Sequence, residues 1–168
     1  MIRKTEKNDV PKIFELYRRV ASVPGGLARL DGEISEEYVS SFVGKALVDG
    51  LSLVAEDTYG NVIGELHAYT SGLFCFSHVL TDLTVAVDPD FRNQGIAKKL
   101  FERFFIEIDN TMPNVCRVEL ISRESNHIAI SLYESLGFVR EGRLENRIKN
   151  VDGSLEADIP MGWQKCAP

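Results

Sequence analysis

The sequence predicts an α/β domain in which helices cover both faces of one mixed sheet. Two patterns carry this prediction. Residues 62–69 alternate between two faces with the period of a strand, whereas residues 95–108 repeat apolar side chains with the period of a helix. Along the whole chain, the predicted order is a strand, two helices, three strands, a helix, a strand, a helix and two strands.

The N-terminal part of the chain predicts two helices. Asn8 or Asp9 can cap the first helix, and Pro11 suits its first turn because a backbone N–H there needs no partner. Apolar residues then recur at helical spacing: Val10, Ile13, Phe14, Tyr17 and Val20. A loop follows at residues 24–26, and a second helix is predicted over residues 35–48.

Three consecutive strands are predicted next. Residues 51–56 form the first strand and residues 62–69 form the second, with a turn between them. The alternation places four side chains of the second strand on one face: Ile63, Glu65, His67 and Tyr69. The third strand covers residues 79–87, and Pro89 ends it because proline cannot donate to a sheet ladder.

The second half of the chain contains the clearest helix, residues 95–108, whose apolar stripe is expected to face the core. The remaining elements are a strand at residues 115–121, a helix at residues 126–136 ended by Gly137, and strands at residues 138–149 and 154–163. A turn containing Asp152 and Gly153 joins the last two strands.

Composition and charge limit the classes of function. The 168 residues suit one domain, residues 1–168, with a substantial core. The net charge of -6 argues against a nucleic-acid partner and suits a cationic substrate such as an amine. No apolar run could span a bilayer and no signal peptide is visible, so we expect a cytoplasmic protein without a membrane partner. Cys75, Cys116 and Cys166 form no CxxC pair, and we expect free thiols.

A phosphate-binding site is predicted where the strand at residues 79–87 runs through a loop into the helix at residue 95. The first turn of a helix presents unpaired backbone N–H groups and the positive end of the helix dipole. Gly95 and the small Ala97 let an anion approach that backbone, and Arg92 and Lys98 add positive charge. The chain contains no GxxxxGK(S/T) and no GxGxxG sequence, which argues against a P-loop nucleotidase and a dinucleotide fold. The predicted ligand is a pyrophosphate group.

Two motifs resemble the GCN5-related N-acetyltransferase (GNAT) superfamily. The sequence Arg-Asn-Gln-Gly-Ile-Ala at residues 92–97 matches its coenzyme A signature, (Q/R)xxGx(G/A), with Ala97 where Gly is commoner. Residues 126–138 match the superfamily's NxxAxxLYxxxGF segment. The two motifs occur in the expected order with the expected elements between them, and the resemblance covers residues 79–139. Its nearest subgroup acetylates ribosomal proteins or small amines.

The resemblance implies a fold and a co-substrate. The fold is a single mixed, mostly antiparallel sheet of about seven strands, flanked by four helices and splayed beyond the strand at residues 79–87. The co-substrate is acetyl-CoA, whose pantetheine arm pairs with the backbone of Val85, Ala86 and Val87. Asn126 hydrogen-bonds that arm, caps its own helix, or does both. The pyrophosphate is expected at the loop residues Arg92, Asn93, Gln94, Gly95, Ile96, Ala97 and Lys98.

The resemblance also implies a catalytic role for Tyr133. In the superfamily this tyrosine lies near the thioester sulfur and can donate a proton to the departing thiolate. Its spacing places Tyr133 on the inward stripe of its helix as well. Both roles hold if the ring packs in the core while the hydroxyl reaches the sulfur.

The resemblance does not identify the group that removes the proton from the amine. Histone-type members have a glutamate where this chain has Thr81, and ribosomal-protein members have one where it has Ile121. Glu119 shares the face of Ile121 and is our first candidate. Asp82 is the second, provided that a bulge re-aims its side chain.

Other assignments stay open or are excluded by spacing. Glu65 and His67 share a face of the preceding strand, and a chain of water molecules could also lead the proton to a base. His67, His78 and His127 lack ligand spacing, so no metal is expected. No cysteine stands in a nucleophile motif, which disfavours an acyl-enzyme.

The sequence therefore predicts an enzyme that transfers an acetyl group from acetyl-CoA to a primary amine by direct attack. The amine belongs to a small molecule, an amino acid or a peptide or protein N-terminus. The alternative is a non-catalytic acetyl-CoA-binding sensor, against which the retained Tyr133 argues. Four aromatic residues are candidates for the acceptor pocket, with core packing as the other interpretation: Tyr38, Phe74, Phe76 and Trp163. The C-terminal strands are a common dimer edge in the superfamily, which leaves a homodimer as an option.

Overall fold

The structure is a computed structural model that describes residues 1–25 and 27–165. Gly26 of the predicted loop and Cys166, a predicted free thiol, lie outside the described residues. The helices are α1 (Val10–Ala21), α2 (Glu36–Asp49), α3 (Ile96–Thr111) and α4 (His127–Ser135). The strands are β1 (Ile2–Lys4), β2 (Gly50–Glu56), β3 (Val62–Tyr69), β4 (Val79–Val87), β5 (Arg117–Arg123), β6 (Val139–Arg140), β7 (Leu144–Lys149) and β8 (Leu155–Gln164).

The strands form one 8-stranded sheet in the order β1-β2-β3-β4-β5-β8-β6, with β7 also paired to β8. The β4–β5 pair is parallel, and the other pairs are antiparallel. The predicted mixed, mostly antiparallel sheet is confirmed, as are its flanking helices. The strand at residues 138–149, however, is two strands instead of one.

Pro160 explains this division. Glu141 donates its backbone N–H to the carbonyl oxygen of Pro160 over 2.9 Å, so this edge of β8 faces residues 139–149. The N–H and C=O of one antiparallel residue point to the same neighbour, and proline has no N–H to return. The ladder is therefore interrupted after β6 and resumes at β7, which pairs with β8 beyond Pro160.

Two apolar cores lie on opposite faces of the sheet. The first lies under α3 and α4, and its fully buried large side chains include Leu66, Leu80, Leu100, Phe101 and Phe104. The second lies under α1 and α2 and includes Ile13, Leu16, Tyr17 and Val54. Because both faces are covered, the middle of the sheet is dry, and polar groups there need protein partners.

A bulge changes the predicted side-chain alternation of β3. Gly64 pairs with Ala55, but Val62 pairs with Glu56, so Ile63 is an extra residue in the ladder. Ile63 consequently joins the core under α3 and α4, whereas Val62 joins the one under α1 and α2. The predicted common face of Ile63 and Glu65 is therefore wrong, because a bulge shifts the alternation by one residue.

Side-chain capping also differs between the first two helices. Ser35 caps α2 by accepting a hydrogen bond from the backbone of Tyr38 over 3.1 Å. Asp9 stands at the N-cap of α1, but its side chain makes no cap hydrogen bond. The carboxylate binds Arg3 instead, which replaces the predicted capping role.

Within the described residues, no helix combines the length and the hydropathy that a bilayer crossing requires.

Candidate active site

The sheet splays open between β4 and β5. These parallel strands pair only through Val79 with Arg117 and Leu80 with Val118. Beyond Leu80 they diverge and flank a cleft of about 1190 Å³. The edge of β4 that faces the cleft is left without a strand partner among the described residues. An extended molecule could pair with this edge as an added strand.

The loop after β4 presents a run of backbone donors at one end of the cleft. Among the described residues, the N–H groups of residues 93–98 find no acceptor, and the first helical bond of α3 runs from Lys99 to Gly95. Asn93 has φ 61° and Gly95 has φ 73°, so the backbone turns twice through the left-handed region. Such a turn leading into a helix N-terminus forms a concave anion site.

Asp88 anchors the loop that connects β4 to α3. Its buried carboxylate accepts a hydrogen bond from the backbone of Asp90 over 3.0 Å and another from Nε of Arg19 over 2.7 Å. Its own N–H donates to the carbonyl of Ile63 over 2.9 Å. The loop is therefore tied both to the sheet and to α1.

Most residues predicted to bind the cofactor do line the cleft. They are Val85, Val87, Arg92, Asn93, Gly95, Ile96, Ala97, Lys98, Asn126 and Tyr133. The side chain of Ala86 packs in the core under α1 and α2, so only its backbone can take part. Gln94 is exposed and does not line the cleft.

Asn126 caps α4. Its side chain accepts a hydrogen bond from the backbone of Ala129 over 3.3 Å, and its own N–H donates to Arg123. The residue also lines the cleft, so the cap and a contact with a ligand do not exclude one another.

Tyr133 packs its ring in the core and turns its hydroxyl toward the cleft. The ring lies 5.7 Å from that of Phe101 in a T-shaped arrangement and 6.0 Å from that of Phe138. Burial raises the pKa of Tyr133 to about 12, so the phenol stays neutral at physiological pH. Its hydroxyl has no hydrogen-bond partner in the described part of the chain, although it is not fully enclosed.

A second bulge re-aims Asp82. His67 pairs with Thr84 and Tyr69 pairs with Thr81, so β4 carries one extra residue between these positions. Asp82 has φ 54°, is exposed and lines the cleft. Burial, with a smaller contribution from the Asp82 carboxylate, raises the pKa of Tyr69 to about 12. The condition stated for Asp82 as a candidate base is met.

Glu119 lies on β5, on the wall of the cleft opposite β4, and is paired with Arg117. Nε of Arg117 donates to Glu119 over 2.6 Å, and the two guanidinium NH₂ groups of Arg117 bind Glu141. This pairing holds the pKa of Glu141 below its ordinary value. Val118 and Leu120 face the core, so Arg117, Glu119 and Ile121 share the other face of β5, as predicted for the last two.

Sequence reasoning missed part of this wall. Arg117, Glu141, Arg147 and Asp158 also line the cleft. The charged stretches at residues 140–143 and 147–149 give no sequence signal beyond a solvated strand face, and only the sheet order brings them to β5. Burial raises the pKa of Asp158, whose partner Arg147 is 3.4 Å away.

Of the four aromatic candidates for the acceptor pocket, one lines the cleft and three do not. Tyr38 lines the cleft, together with Phe42 and Tyr69. Phe74 is 92% exposed and Phe76 is 52% exposed, and neither lines it. Trp163 stacks on Phe105 at 4.6 Å in the core under α3 and α4. In the part of the chain that the structure describes, no three metal-ligating side chains come together.

The fold and this cleft define an acetyltransferase of the GNAT class. The model of the acetyltransferase (GNAT) domain matches residues 43–140, and the chain belongs to this family. Its relatives include the [Ribosomal protein bS18]-alanine N-acetyltransferase of Salmonella typhimurium, 28% identical over 90% of this chain and 88% of the relative. The enzyme of that name from Escherichia coli is 36% identical over 51% of this chain and 60% of the relative.

Solved structures have the same fold. A GNAT-family acetyltransferase from Streptococcus pneumoniae superposes with a TM-score of 0.85 at 21% identity, covering 98% of both chains. The structure of yncA from Salmonella typhimurium with its cofactor acetyl-CoA superposes with a TM-score of 0.84 at 21% identity. That match covers 100% of this chain and 96% of the other.

Proposed function

We propose that this protein transfers the acetyl group of acetyl-CoA directly to a primary amine, with both substrates bound in the cleft between β4 and β5. One observation carries the proposal. The unpaired N–H groups of residues 93–98 lie at the end of an unpaired strand edge, and the Tyr133 hydroxyl opens on the same cleft. We take residues 1–168 as a single N-acetyltransferase domain, since one continuous sheet carries both cores.

The cleft suits the parts of acetyl-CoA. A pyrophosphate requires several donors and positive charge, which the backbone at residues 93–98 and the side chains of Arg92 and Lys98 supply. An extended pantetheine arm requires a strand edge, which residues 85–87 supply. Asn126 stands beside this path. When bound, acetyl-CoA supplies an acetyl group activated as a thioester.

We propose that the acetyl group passes directly from the thioester to the amine. The amine nitrogen forms the new bond to the acetyl carbon as the bond from carbon to sulfur breaks, and the amine proton passes to a base. The described cysteines, Cys75 and Cys116, are free thiols that do not line the cleft, which supports a reaction without an acyl-enzyme. Free thiols also suit the reducing cytoplasm, where we place the protein.

Tyr133 stabilises the departing thiolate in this scheme. Its pKa of about 12 lies well above the value of about 8.5 for an ordinary thiol. Complete proton transfer from the phenol to the thiolate is therefore uphill. Hydrogen-bond donation from the neutral phenol costs no such transfer and still lowers the energy of the leaving group.

The other side of the cleft suits a cationic acceptor. Four carboxylates line the cleft, and three of them are paired with arginines: Glu119 and Glu141 with Arg117, and Asp158 with Arg147. The fourth, Asp82, is exposed and has no ion-pair partner in the described part of the chain. An α-amine carries positive charge near neutral pH, so the Asp82 carboxylate favours its approach. Relatives that match most of this chain are named as alanine N-acetyltransferases of ribosomal protein bS18. We therefore rank a polypeptide α-amine first among the acceptors, ahead of small amines and amino acids.

Calorimetric titration with acetyl-CoA tests the cofactor site. A Gly95→Glu variant places a carboxylate beside the pyrophosphate position, and binding should be lost. Gly153→Glu is the matched control, because Gly153 also has a positive φ, 86°, and open space around its Cβ, but lies in the turn between β7 and β8. Equal binding by wild type and Gly95→Glu, or no binding by folded wild type, would refute the site.

Turnover tests the reaction. Wild-type protein is incubated with acetyl-CoA and an alanine-initiated peptide, and with spermidine and free amino acids in parallel. Thiol release that depends on the amine, with a mass increase of one acetyl group on the amine, is the expected result. Acetyl-CoA binding without amine-dependent thiol release across the panel would favour the sensor instead.

A further inference from the structure

A polar cluster lies buried in β3, beneath the amine side of the cleft. Glu65 is 0% exposed and His67 is 2% exposed. Nδ1 of His67 lies 3.0 Å from Oε2 and 3.2 Å from Oε1 of Glu65. Buried ionisable groups are costly unless they are fully paired, so this cluster requires an explanation beyond packing.

The remaining partners of Glu65 are hydroxyl donors. Tyr17 donates to Oε2 over 2.7 Å, and Ser52 donates to Oε1 over 2.8 Å. Thr5 supports Ser52 with a further bond of 2.7 Å. Burial, and next the charge of Glu65, raise the pKa of Tyr17 well above its ordinary value, so Tyr17 stays a neutral donor. Glu65 thus accepts from every side, as an ionised carboxylate does.

These partners assign the proton positions of the His67 ring. A carboxylate that only accepts requires an N–H at Nδ1, so a neutral His67 has its lone pair on Nε2. The ring is fixed between two aromatic rings, stacked on Phe42 at 4.0 Å and parallel to Tyr69 at 6.1 Å. His67 lines the cleft, and Nε2, without a partner among residues 1–25 and 27–165, is not fully enclosed.

We propose that Nε2 of His67 accepts the proton of the attacking amine and that Glu65 positions the ring and stabilises the resulting imidazolium. This assignment rests on the proposed acetyl transfer. In that step the bond from nitrogen to the acetyl carbon forms, the bond from carbon to sulfur breaks, and the proton moves from nitrogen to Nε2. His67 is then the catalytic base, and Glu65 is a positioning residue.

The other candidates are less suited to this role. Thr81 and Ile121, which occupy the superfamily's base positions, do not titrate at physiological pH. Glu119 accepts a hydrogen bond from Arg117, and Asp82 is exposed to bulk water. Of the candidates, His67 combines a ring held by stacking and by Glu65 with an Nε2 atom that has no partner among the described residues.

Several charged or titratable groups lie around His67. From its own strand and from the elements packed against it, they are Glu65, Tyr69, Tyr17, Tyr38, Arg29, Lys45 and Asp82. Glu65 lies closer to Nδ1, at 3.0 Å, than the Tyr17 hydroxyl, at 3.4 Å, and is therefore the group to vary.

The pH–rate profile of the transfer reaction tests the assignment, with the peptide as acceptor. His67→Gln should lower kcat by about 100-fold while the acetyl-CoA affinity stays unchanged, and the ascending limb of the profile should disappear. Glu65→Gln should move that limb to lower pH, because the charge that favours the imidazolium is gone. His78→Gln is the matched control, since His78 is exposed and outside the cleft.

Two results would overturn the assignment. One is a His67→Gln variant that keeps the wild-type kcat and limb. The other is disappearance of the limb in Glu119→Gln or Asp82→Asn, which would move the base to that carboxylate. A cofactor affinity equal to that of wild type shows that each variant is folded, so loss of structure is not mistaken for loss of the base.

Nitrogen-15 spectra of the histidine rings give a test that needs no acceptor. The chain contains 3 histidines, and the signals of His78 and His127 are assigned by their glutamine variants. We expect wild-type His67 as the Nδ1–H tautomer, with Nε2 becoming protonated as the pH falls. An Nε2–H tautomer would overturn the assignment even while acetyl-CoA binds. Absence of acetyl-CoA binding would instead overturn the proposed function.

Discussion

Arg19 of α1 donates a hydrogen bond from Nε to Oδ2 of Asp88 over 2.7 Å, and this pair joins the first helix to the loop that precedes α3. Asp88 in turn accepts from the backbone of Asp90. The conformation of a loop that lines the cleft thus depends on a helix from the other face of the sheet.

Arg19→Ala should weaken acetyl-CoA binding. Asp88 would lose its charged donor while remaining buried, which costs about 1–3 kcal/mol and favours rearrangement of the loop. We expect Kd for acetyl-CoA to rise about tenfold, measured by calorimetry. Arg18→Ala is the control from the same helix, because Arg18 pairs with Asp31, whose side chain is 42% exposed. Equal affinities in the two variants would contradict the anchoring role of Arg19.

Tyr133→Phe should separate catalysis from stability. The hydroxyl has no partner in the described residues, so its removal should leave the melting temperature and the acetyl-CoA affinity unchanged. Loss of hydrogen-bond donation to the thiolate should lower kcat by about 100-fold. A Tyr133→Phe variant with wild-type kcat would show that the ring only packs.

The pKa of Tyr133 also predicts the alkaline behaviour of the enzyme. In the proposed mechanism the neutral phenol is the active form, and it is retained until the pH approaches its pKa of about 12. Activity between pH 8 and about 10 should therefore not fall through ionisation of Tyr133. A descending limb in that range that disappears in Tyr133→Phe would contradict this expectation.

Gly64→Ala should loosen the contact between β3 and the start of α3. A Cβ at Gly64 would lie 3.1 Å from Ile96 and 3.2 Å from Leu100, which is tighter than ordinary contact. We expect a loss of about 1–3 kcal/mol in the free energy of unfolding and weaker acetyl-CoA binding. Gly44→Ala provides the contrast. A Cβ there meets nothing within 4 Å, so alanine should stabilise α2 by about 0.5–1 kcal/mol. Urea unfolding of both variants checks the pair.

The ion pair of Arg3 and Asp9 should make stability depend on pH. Two guanidinium nitrogens of Arg3 donate to Asp9 over 2.7 and 2.8 Å, and this pairing lowers the pKa of Asp9 in the folded state. A lowered folded-state pKa means that the contribution is complete above the unfolded pKa, about 3.9, and is lost as the pH falls through the folded value. Asp9→Asn should cost about 1–3 kcal/mol at pH 7, and the difference from wild type should shrink below about pH 4. Unfolding curves from pH 7 to pH 3 test this; a difference that does not depend on pH would contradict it.

Periodicity predicted the elements of the fold closely. The strands at residues 62–69 and 79–87 match β3 and β4 in extent, because alternation and a bounding proline are local signals. The division between β6 and β7 was not predicted. It depends on which edge of β8 faces Glu141, and therefore on the sheet order.

The candidate site also contains residues that the sequence predicted and residues that it did not. The loop at residues 92–98 and Tyr133 were predicted because a helix N-terminus and a motif tyrosine are encoded over a few consecutive residues. The pairing of Arg117 with Glu141 was not predicted, because Arg117 lies on β5 and Glu141 follows β6, and these two strands lie on either side of β8. The bulge that re-aims Asp82 was stated as a condition, and the register of β3 and β4 satisfied it.

The sequence alone determined the order of helices and strands up to β6, the loop proposed to bind an anion and the resemblance to acetyltransferases, since each depends on neighbouring residues along the chain. The tertiary structure decided where β4 and β5 separate, which carboxylates face the cleft, and that Glu65 and His67 are buried together beneath Tyr17. These features depend on contacts between residues distant in sequence, and on burial, which only the packed sheet and its two helix layers create.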